Sequence, residues 1–291
     1  MKRFTIALTF ALLLCTSMWG QAAYSFQTVN YPGDTFTQLL GINNSLLIAG
    51  YHNFNQNSGF TFRLPVQFVT ENYPMSMMTQ VIGINNTGTT DGFYVDNNGV
   101  THGFTDINGT FATVDYPGTA FNQLLGQNDM GQASGYFSMS QNNSTPDTPY
   151  VYNELGGGVF QTIFIPAAVG GAQATGINNS QQISGFYIDS AGLNHGFLLN
   201  FGLLVTLDAP GSTFTQALGL NNKGQVVGDY MDQGGLTHGF VWTSAGGFTI
   251  IDDPAGIGTT VVNGINDLGT LVGFYGTAPI NSGFVAFPHG G

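Results

Sequence analysis

One pattern recurs along nearly the whole chain, and its period constrains the fold more than any other feature. The fullest copy, residues 215–240, reads TQALGLNNKGQVVGDYMDQGGLTHGF. The glycine that opens its Gly-Ile-Asn-Asn-like motif occurs six times, at intervals of 42, 43, 50, 43 and 45 residues. A fixed period in this range indicates a propeller or a solenoid. The six glycines are Gly41, Gly83, Gly126, Gly176, Gly219 and Gly264.

Each period predicts four short strands. In the second copy the first strand, residues 80–84, is apolar on both faces, as expected of a strand between two neighbouring sheets. Turns rich in Asn, Asp and Gly separate it from strands at 90–95, from Gly103 onwards and at 110–115. Four antiparallel strands per repeat are typical of a propeller blade. We therefore predict an all-β fold, a six-bladed β-propeller, in preference to a β-solenoid, whose coils are usually shorter, or a sandwich.

The ends of the repeat array predict how the ring closes. Residues 26–33 repeat a fourth strand, whereas the array ends just after a third-strand copy at residues 283–287. Pairing the first strand with the last sheet removes two exposed sheet edges. We therefore expect one propeller domain over residues 24–291, closed by its N-terminal strand.

The N-terminal segment has the pattern of a secretory signal. Lys2 and Arg3 precede an apolar run, and small residues follow up to Ala23. We predict a signal peptide at residues 1–23 and a secreted, extracellular protein. Cys15, the single cysteine, leaves with this segment, so the mature chain has no disulfide. A lipoprotein anchored through Cys15 is the alternative, but Leu14 is large for that site.

The net charge of the chain restricts the classes of partner that it can bind. The formal net charge is −12, and removing Lys2 and Arg3 leaves Arg63 and Lys223 as the basic residues against 16 acidic ones. Such a surface repels nucleic acid and anionic membranes. We therefore expect no nucleic-acid partner and no membrane insertion, and we expect cations or basic partners to be compatible.

The Gly-Ile-Asn-Asn, His-Gly-Phe and Asp-x-Pro-Gly elements resemble those of the HAF-repeat family of bacterial proteins. The resemblance spans residues 26–287, although the histidine occurs only at His102, His195 and His238. It implies an extracellular repeat protein and no established chemistry.

Connections in an up-and-down blade alternate between the two ends of the ring, so nine aspartates are expected on one end. Asp96, Asp189 and Asp232 each precede a histidine by six residues. The functional interpretation is an acidic face that binds a ligand or a metal such as calcium, or an Asp/His pair; the alternative is turn capping and a hairpin hydrogen bond. The candidate residues are Asp96, Asp115, Asp189, Asp208, Asp232, Asp252, His102, His195 and His238, with Asp34, Asp147 and Asp253 on the same face.

Glutamine recurs at the start of the first strand, where a propeller strand lines the central channel. These residues predict a polar ring that either binds a ligand or satisfies backbone groups between blades. They are Gln38, Gln80, Gln123, Gln173 and Gln216, and Val261 takes the sixth position. The third copy differs from the others, because a polar insert at residues 138–149 replaces the usual His-Gly-Phe by Pro149-Tyr150.

Three functions fit these patterns. The first is a secreted, non-catalytic binding or surface module whose ligand is extracellular carbohydrate, a cation or a surface protein. The second is a polysaccharide hydrolase or lyase that uses carboxylates of the acidic face. The third is a structural role in assembly. An enzyme should carry carboxylates outside the repeat register, and Asp34 and Asp147 are the acids of that face that do so.

Overall fold

The computed structural model describes residues 24–65, 67–141 and 145–289. Within these ranges the chain consists of 24 β-strands and contains no helix. The predicted signal segment, including Cys15, lies outside the described residues, as do residues 142–144 of the insert. None of the described elements is a helix long and apolar enough to cross a membrane.

The strands form a β-propeller, so the all-β prediction is confirmed. Within the described parts of the chain they are grouped into four four-stranded sheets and one eight-stranded sheet. The first two four-stranded sheets contain β2 (Thr37–Ile42), β3 (Ile48–Asn53), β4 (Asn57–Arg63) and β5 (Gln67–Thr70), and β14 (Gly171–Ile177), β15 (Ile183–Ile188), β16 (Asn194–Asn200) and β17 (Leu203–Leu207). The other two contain β18 (Phe214–Leu220), β19 (Val226–Met231), β20 (Thr237–Thr243) and β21 (Gly247–Ile251), and β22 (Thr260–Ile265), β23 (Leu271–Tyr275), β24 (Ser282–Pro288) and β1 (Tyr24–Val29).

The eight-stranded sheet consists of two successive groups of four strands. A single parallel bridge between Phe121 and Thr101 joins them. The predicted count of six separate sheets therefore does not match the hydrogen-bonded sheets, of which four are separate four-stranded units. The two groups are β6 (Met78–Ile84), β7 (Thr90–Val95), β8 (Thr101–Ile107) and β9 (Thr110–Val114), and β10 (Phe121–Gln127), β11 (Gln132–Ser138), β12 (Thr148–Asn153) and β13 (Val159–Thr162).

The N-terminal strand completes the last sheet. Strand β1 pairs antiparallel with β24, from Tyr24 opposite Pro288 to Val29 opposite Gly283. Phe26 packs against Phe284 with ring centroids 5.5 Å apart. The edge of the last sheet is thus covered by a strand from the other end of the chain, as the offset of the repeat predicts.

A buried aromatic residue anchors each group of four strands. It lies in the third strand and packs over a glycine of the second strand. A Cβ at Gly228 would come within 2.9 Å of Phe240 and 1.9 Å of a backbone oxygen, so no side chain fits there. Replacing such a buried aromatic residue by alanine costs about 3–5 kcal/mol. The six aromatic residues, all fully buried, are Phe60, Phe104, Tyr150, Phe197, Phe240 and Phe284.

Candidate functional site

The central channel has two unlike ends. The end where the first strands begin carries the recurrent glutamines and is called the Gln end. The end where they finish carries a recurrent asparagine and is called the Asn end. Parallel bridges from Phe36 to Asn281 and from Thr237 to Thr259 place the start of a first strand beside the start of the preceding third strand. The turns between second and third strands therefore lie at the Gln end, as the alternation of connections predicts.

A continuous ring of hydrogen bonds runs around the Asn end. Each asparagine side chain donates from Nδ2 to the backbone carbonyl of the next asparagine, over 2.9–3.1 Å, and the sixth donates to the first. The same Oδ1 atoms accept two N–H bonds of their own turns, as Asn221 does from Lys223 and Gln225. The ring residues are Asn43, Asn85, Asn128, Asn178, Asn221 and Asn266.

A second ring lies next to the first, at the following residue of each turn. Its backbone N–H groups donate to the next side chain over 2.7–2.9 Å. Asp129 accepts from the Nδ2 atoms of both Asn86 and Asn179. Asp267 accepts in the same way from Asn44 and Asn222. Burial opposes the ionised form of Asp129, but these amide bonds outweigh burial and lower the pKa of its carboxyl group. The space between the two rings is about 60 Å³.

Above the rings the channel widens into a cavity of about 320 Å³. All six first strands line this cavity. Leu40, Ile82, Leu125 and Leu218 make much of its wall apolar, and Gln173 and Gln216 lie at the Gln end. A volume of this size is within the range of small-molecule sites. The two rings surround the channel at its Asn end, and Gln173 and Gln216 line the cavity towards its Gln end.

The glutamines are partnered by side chains of the second strands. Gln38 lies directly opposite Tyr51 and Gln123 opposite Tyr136, and each tyrosine hydroxyl donates to the glutamine Oε1 over 2.8 and 2.9 Å. The hydrogen-bond partners of Gln38 and Gln123 are thus side chains rather than backbone groups. Of the five glutamines, Gln173 and Gln216 line the cavity, so a complete polar ring around the channel stays a prediction. Gln80 lies opposite Phe93 and Gln173 opposite Phe186.

Asp229 breaks this pattern. It lies opposite Gln216, at the position that an aromatic residue occupies in the other five copies. Directly opposite residues of an antiparallel pair point to the same face of the sheet, so its carboxylate lies beside the cavity-lining Gln216. Burial raises the pKa of Asp229 to about 7, and its own backbone N–H is the group that opposes this rise.

Asp147 is the second carboxylate at this entrance. It belongs to the polar insert of the third copy, and its Oδ2 accepts from Nε2 of Gln173 over 2.7 Å. Its buried Oδ1 has no partner among the described residues. Burial raises the pKa of Asp147, and the Gln173 bond opposes that rise. The insert therefore brings an acid to the cavity-lining glutamine from outside the repeat register.

The insert also shows how the third copy departs from the others. Tyr150 lies opposite Gly135 and so occupies the position of the conserved core aromatic, whereas Thr148 takes the position of the histidine. In the third copy, Thr148-Pro149-Tyr150 therefore stands where other copies have His-Gly-Phe. Phe164 follows at the position of the aspartate that partners the histidine elsewhere, and it is largely exposed.

Each of these histidines lies between two aspartates, the one that the hairpin spacing predicts and a second one that ends the fourth strand. His102 Nδ1 is 2.6 Å from Asp115, and its Nε2 is 3.8 Å from Asp96. His195 and His238 repeat this arrangement, with Asp208 and Asp252 each 2.9 Å from Nδ1. Their Nε2 atoms lie 3.4 and 3.6 Å from Asp189 and Asp232, respectively. The hydrogen bond thus runs to the aspartate that ends the fourth strand, because that strand lies directly beside the third.

Turn capping explains the first aspartate of each group. Oδ1 of Asp189 accepts the backbone N–H groups of Ala191 and Leu193, over 2.8 and 2.9 Å. The bond from Leu193 is the main reason why the pKa of Asp189 is lowered. Asp96 and Asp232 cap their turns in the same way.

The predicted acidic face is therefore only partly available to a ligand. Asp34 is engaged by His52, whose Nδ1 is 2.9 Å away, and Asp253 is buried. Nowhere in residues 24–65, 67–141 and 145–289 do three His, Cys, Asp or Glu side chains form a group that could hold a metal ion. The calcium hypothesis thus gains no geometric support from this face.

Two signals in the sequence pointed to these features. The aspartate partner of each histidine follows it by 13 or 14 residues in three copies. Asp229 is recognisable when the second strands are compared, because the equivalent residues are Tyr51, Phe93, Tyr136, Phe186 and Phe274.

No family model matches the sequence, and no curated protein matches it. The HAF-repeat resemblance therefore has no support from these comparisons and stays a prediction. Solved structures share the fold at low identity. Virginiamycin B lyase from Staphylococcus aureus is 12% identical, covering 91% of this chain and all of that one, with a TM-score of 0.54.

Two further solved structures are similar in fold to part of their own length. TolB from Acinetobacter baumannii is 12% identical over 87% of this chain and 65% of that one, with a TM-score of 0.55. Acylaminoacyl peptidase from Pyrococcus horikoshii is 11% identical over 86% of this chain and 51% of that one, with a TM-score of 0.53. At such identities these likenesses establish the propeller fold alone.

Proposed function

We propose that this chain is a non-catalytic binding protein whose small ligand occupies the central cavity and is held at the Gln end. The observation that carries the proposal is the position of Asp147 and Asp229. Both are carboxylates outside the repeat register, and both lie beside glutamines that line the same 320 Å³ cavity. A repeat that serves packing alone has no need for two buried acids at one entrance, because buried carboxylates destabilise a fold unless they are paired.

Secretion belongs to the same proposal. Its support is the N-terminal pattern of a basic start, an apolar run and small residues up to Ala23. Mass spectrometry of protein recovered outside the cytoplasm should show an N-terminus near residue 23 or 24. An intact Met1 on the extracellular protein contradicts export by cleavage.

Six blades are the finer form of the fold that we propose. The support is the ring of six asparagines and the six groups of four strands, two of which share one bridge at Phe121. A crystal structure should show Phe121 and Thr101 as an isolated contact between two blades. A continuous ladder of hydrogen bonds there contradicts six separate blades.

The binding proposal is tested with the mature chain and a library of small fragments. Ligand-observed NMR at millimolar concentrations should detect fragments that bind the wild-type protein. Leu218→Trp fills the cavity and should abolish their binding, whereas Leu236→Trp, an exposed position outside the cavity, should not. Circular dichroism checks that both variants fold. Fragments that bind both variants equally, or no binding at all, contradict the proposal.

A catalytic role is the second candidate, and one observation favours it. A carboxyl group whose pKa is about 7, such as Asp229, suits general acid–base chemistry at neutral pH. The same NMR samples test this role, with short polysaccharide fragments added as substrate. Product signals that disappear in Asp229→Asn support catalysis, and unchanged substrate in the wild-type protein contradicts it.

A further inference from the structure

We propose that the ligand of the central cavity is a small organic cation, an ammonium or guanidinium group attached to an apolar body. This inference rests on the proposed function and specifies its ligand. The juxtaposition that carries it is a pair of carboxylates with unused hydrogen-bonding capacity at the entrance of an apolar cavity.

The two acids of this end accept few hydrogen bonds from the described residues. Oδ1 of Asp147 is buried and has no partner among the described residues. The carboxylate of Asp229 is almost fully buried, and its own backbone N–H is the hydrogen-bond donor that acts on it. Leaving a buried acceptor unpaired costs about as much as a lost hydrogen bond. A ligand that donates hydrogen bonds at this end relieves that cost, which an acceptor-rich ligand cannot do.

The protein supplies no lysine or arginine to this entrance. Of the two basic residues after the signal segment, Arg63 donates to the backbone oxygen of Ser45, and Lys223 lies in an Asn-end turn. The histidines of the Gln end are each hydrogen-bonded to an aspartate of their own, at Asp34, Asp115, Asp208 and Asp252. The charges of Asp147 and Asp229 are thus left for the ligand to neutralise.

The cavity below the entrance suits an apolar body. Leu40, Ile82 and Leu218 form its wall, and Phe186 lies at the Gln end. An aromatic ring at the same end favours an organic cation over an inorganic one, because a ring attracts a cation through its quadrupole. The described residues also include no group of three ligands that could hold a metal ion. The charged group of the ligand therefore suits the acidic entrance, and its apolar body suits the cavity wall.

Three matched series of compounds test the charge of the ligand. Each series has one apolar body, either phenylethyl, cyclohexylethyl or hexyl, and carries an amine, an alcohol or a carboxylate. Dissociation constants for the mature chain are measured by ligand-observed NMR and calorimetry. In at least one series the amine should bind at least tenfold more tightly than the alcohol, and the carboxylate should bind least.

Variants separate this inference from the proposed function. Asp229→Asn and Asp147→Asn should each weaken amine binding about tenfold and leave alcohol binding unchanged. Asp208→Asn, which removes an acid of the same end away from the cavity, is the matched control and should change neither. If amines and alcohols bind equally and Leu218→Trp abolishes the binding of both, the ligand is not a cation, but the cavity is still the binding site. If no compound of the three series shows binding that Leu218→Trp abolishes, both the cationic ligand and the proposed binding function are contradicted.

Discussion

The two ends of the channel are built from the same repeat, yet they differ in how far the copies agree. At the Asn end all six copies contribute an asparagine to one closed ring, and each side chain there has its partners. At the Gln end five copies contribute a glutamine, and the residues opposite include two tyrosines that bond to it and one aspartate that does not. The copies agree at the Asn end and differ at the Gln end, which indicates that the two ends have different roles.

The chemistry of the two ends supports that distinction. Asp129 and Asp267 at the Asn end each accept amide bonds from both neighbours, which lower the pKa of their carboxyl groups despite burial. Asp147 and Asp229 at the Gln end lie under comparable or greater burial without that compensation, and their pKa values are raised. Acids that accept amide bonds from both neighbours stabilise the Asn end. Asp147, with one bond from Gln173, and Asp229 reduce the stability of the fold and remain available for a ligand.

Breaking the asparagine ring should have the largest effect. Asn221→Ala removes two partly buried turn caps and the buried bond to the backbone carbonyl of Asn266. We expect a loss of about 3 kcal/mol, since each bond contributes about 1 kcal/mol and a buried carbonyl is left unpaired. Urea unfolding of the mature chain measures it. Asn98→Ala, in an exposed Gln-end turn, is the control and should change stability by less than about 0.5 kcal/mol. Equal losses in the two variants remove the distinction between the ends.

Restoring the repeat at the Gln end should stabilise the protein. Asp229→Phe supplies the aromatic residue that the other five copies carry, three as phenylalanine and two as tyrosine, and it removes a buried charge. We expect a gain of about 2 kcal/mol at pH 8, since replacing buried charges by apolar residues often stabilises by 1–4 kcal/mol. The folded-state pKa of Asp229 is about 7 and lies above its unfolded value, so the wild-type protein loses stability as pH rises through that interval.

The stability gained by Asp229→Phe should therefore decrease from pH 8 to pH 5, because Asp229 of the wild type binds a proton in the folded state over this range. Thermal unfolding over this range measures the gain, and Asp229→Asn separates the loss of charge from the change in shape. A variant that is less stable than the wild type at pH 8 contradicts the view that this acid costs stability.

The sequence allowed the fold to be predicted because the signals for it are local. The Asn-x-x-Gly and Asp-x-x-Gly turns need particular side chains at particular positions, and the first strands are apolar on both faces. The strands of each copy can therefore be predicted from that copy alone. The fourth strand of the last sheet was also predictable, since the chain carries a spare copy of it near residue 26.

The site was harder to predict because it depends on distance across the fold. Asp147 reaches Gln173 from a different group of strands, 26 residues away, through an insert with no counterpart in the other copies. The shorter contact of His195 is with Asp208, across a strand pair, and the hairpin aspartate Asp189 lies farther away, at 3.4 Å. Asp229 required the second strands to be compared copy by copy, because an aspartate within a strand has no local signature.

A change in the second ring should have a smaller effect that depends on pH. Asp129→Asn places an amide nitrogen where Oδ2 now accepts from two asparagine side chains. We expect a loss of about 1–2 kcal/mol at pH 7. The pKa of Asp129 is lowered in the folded state, so its contribution is present above the unfolded value near 3.9 and disappears as pH falls through the folded value. The difference from the wild type should therefore shrink as pH falls below the unfolded value, whereas Glu154→Gln, outside the ring, should leave stability at pH 7 unchanged.

The smallest expected effect belongs to the exposed histidines of the Gln end. Burial opposes protonation of His195, but the hydrogen bond and charge of Asp208, with a further contribution from Asp189, outweigh it and raise the pKa of the imidazole. Its contribution to stability is therefore fully present below the unfolded value near 6.5 and is lost as pH rises through the folded value. Because the pair is largely exposed, we expect His195→Gln to cost less than about 1 kcal/mol at pH 5.5 and nothing measurable at pH 9. Chemical unfolding at the two pH values, repeated in 1 M salt to screen the pair, measures the difference. A loss that is larger at pH 9 than at pH 5.5 contradicts the ion pair and assigns the residue a packing role against Tyr187, whose ring stacks on it at 5.1 Å.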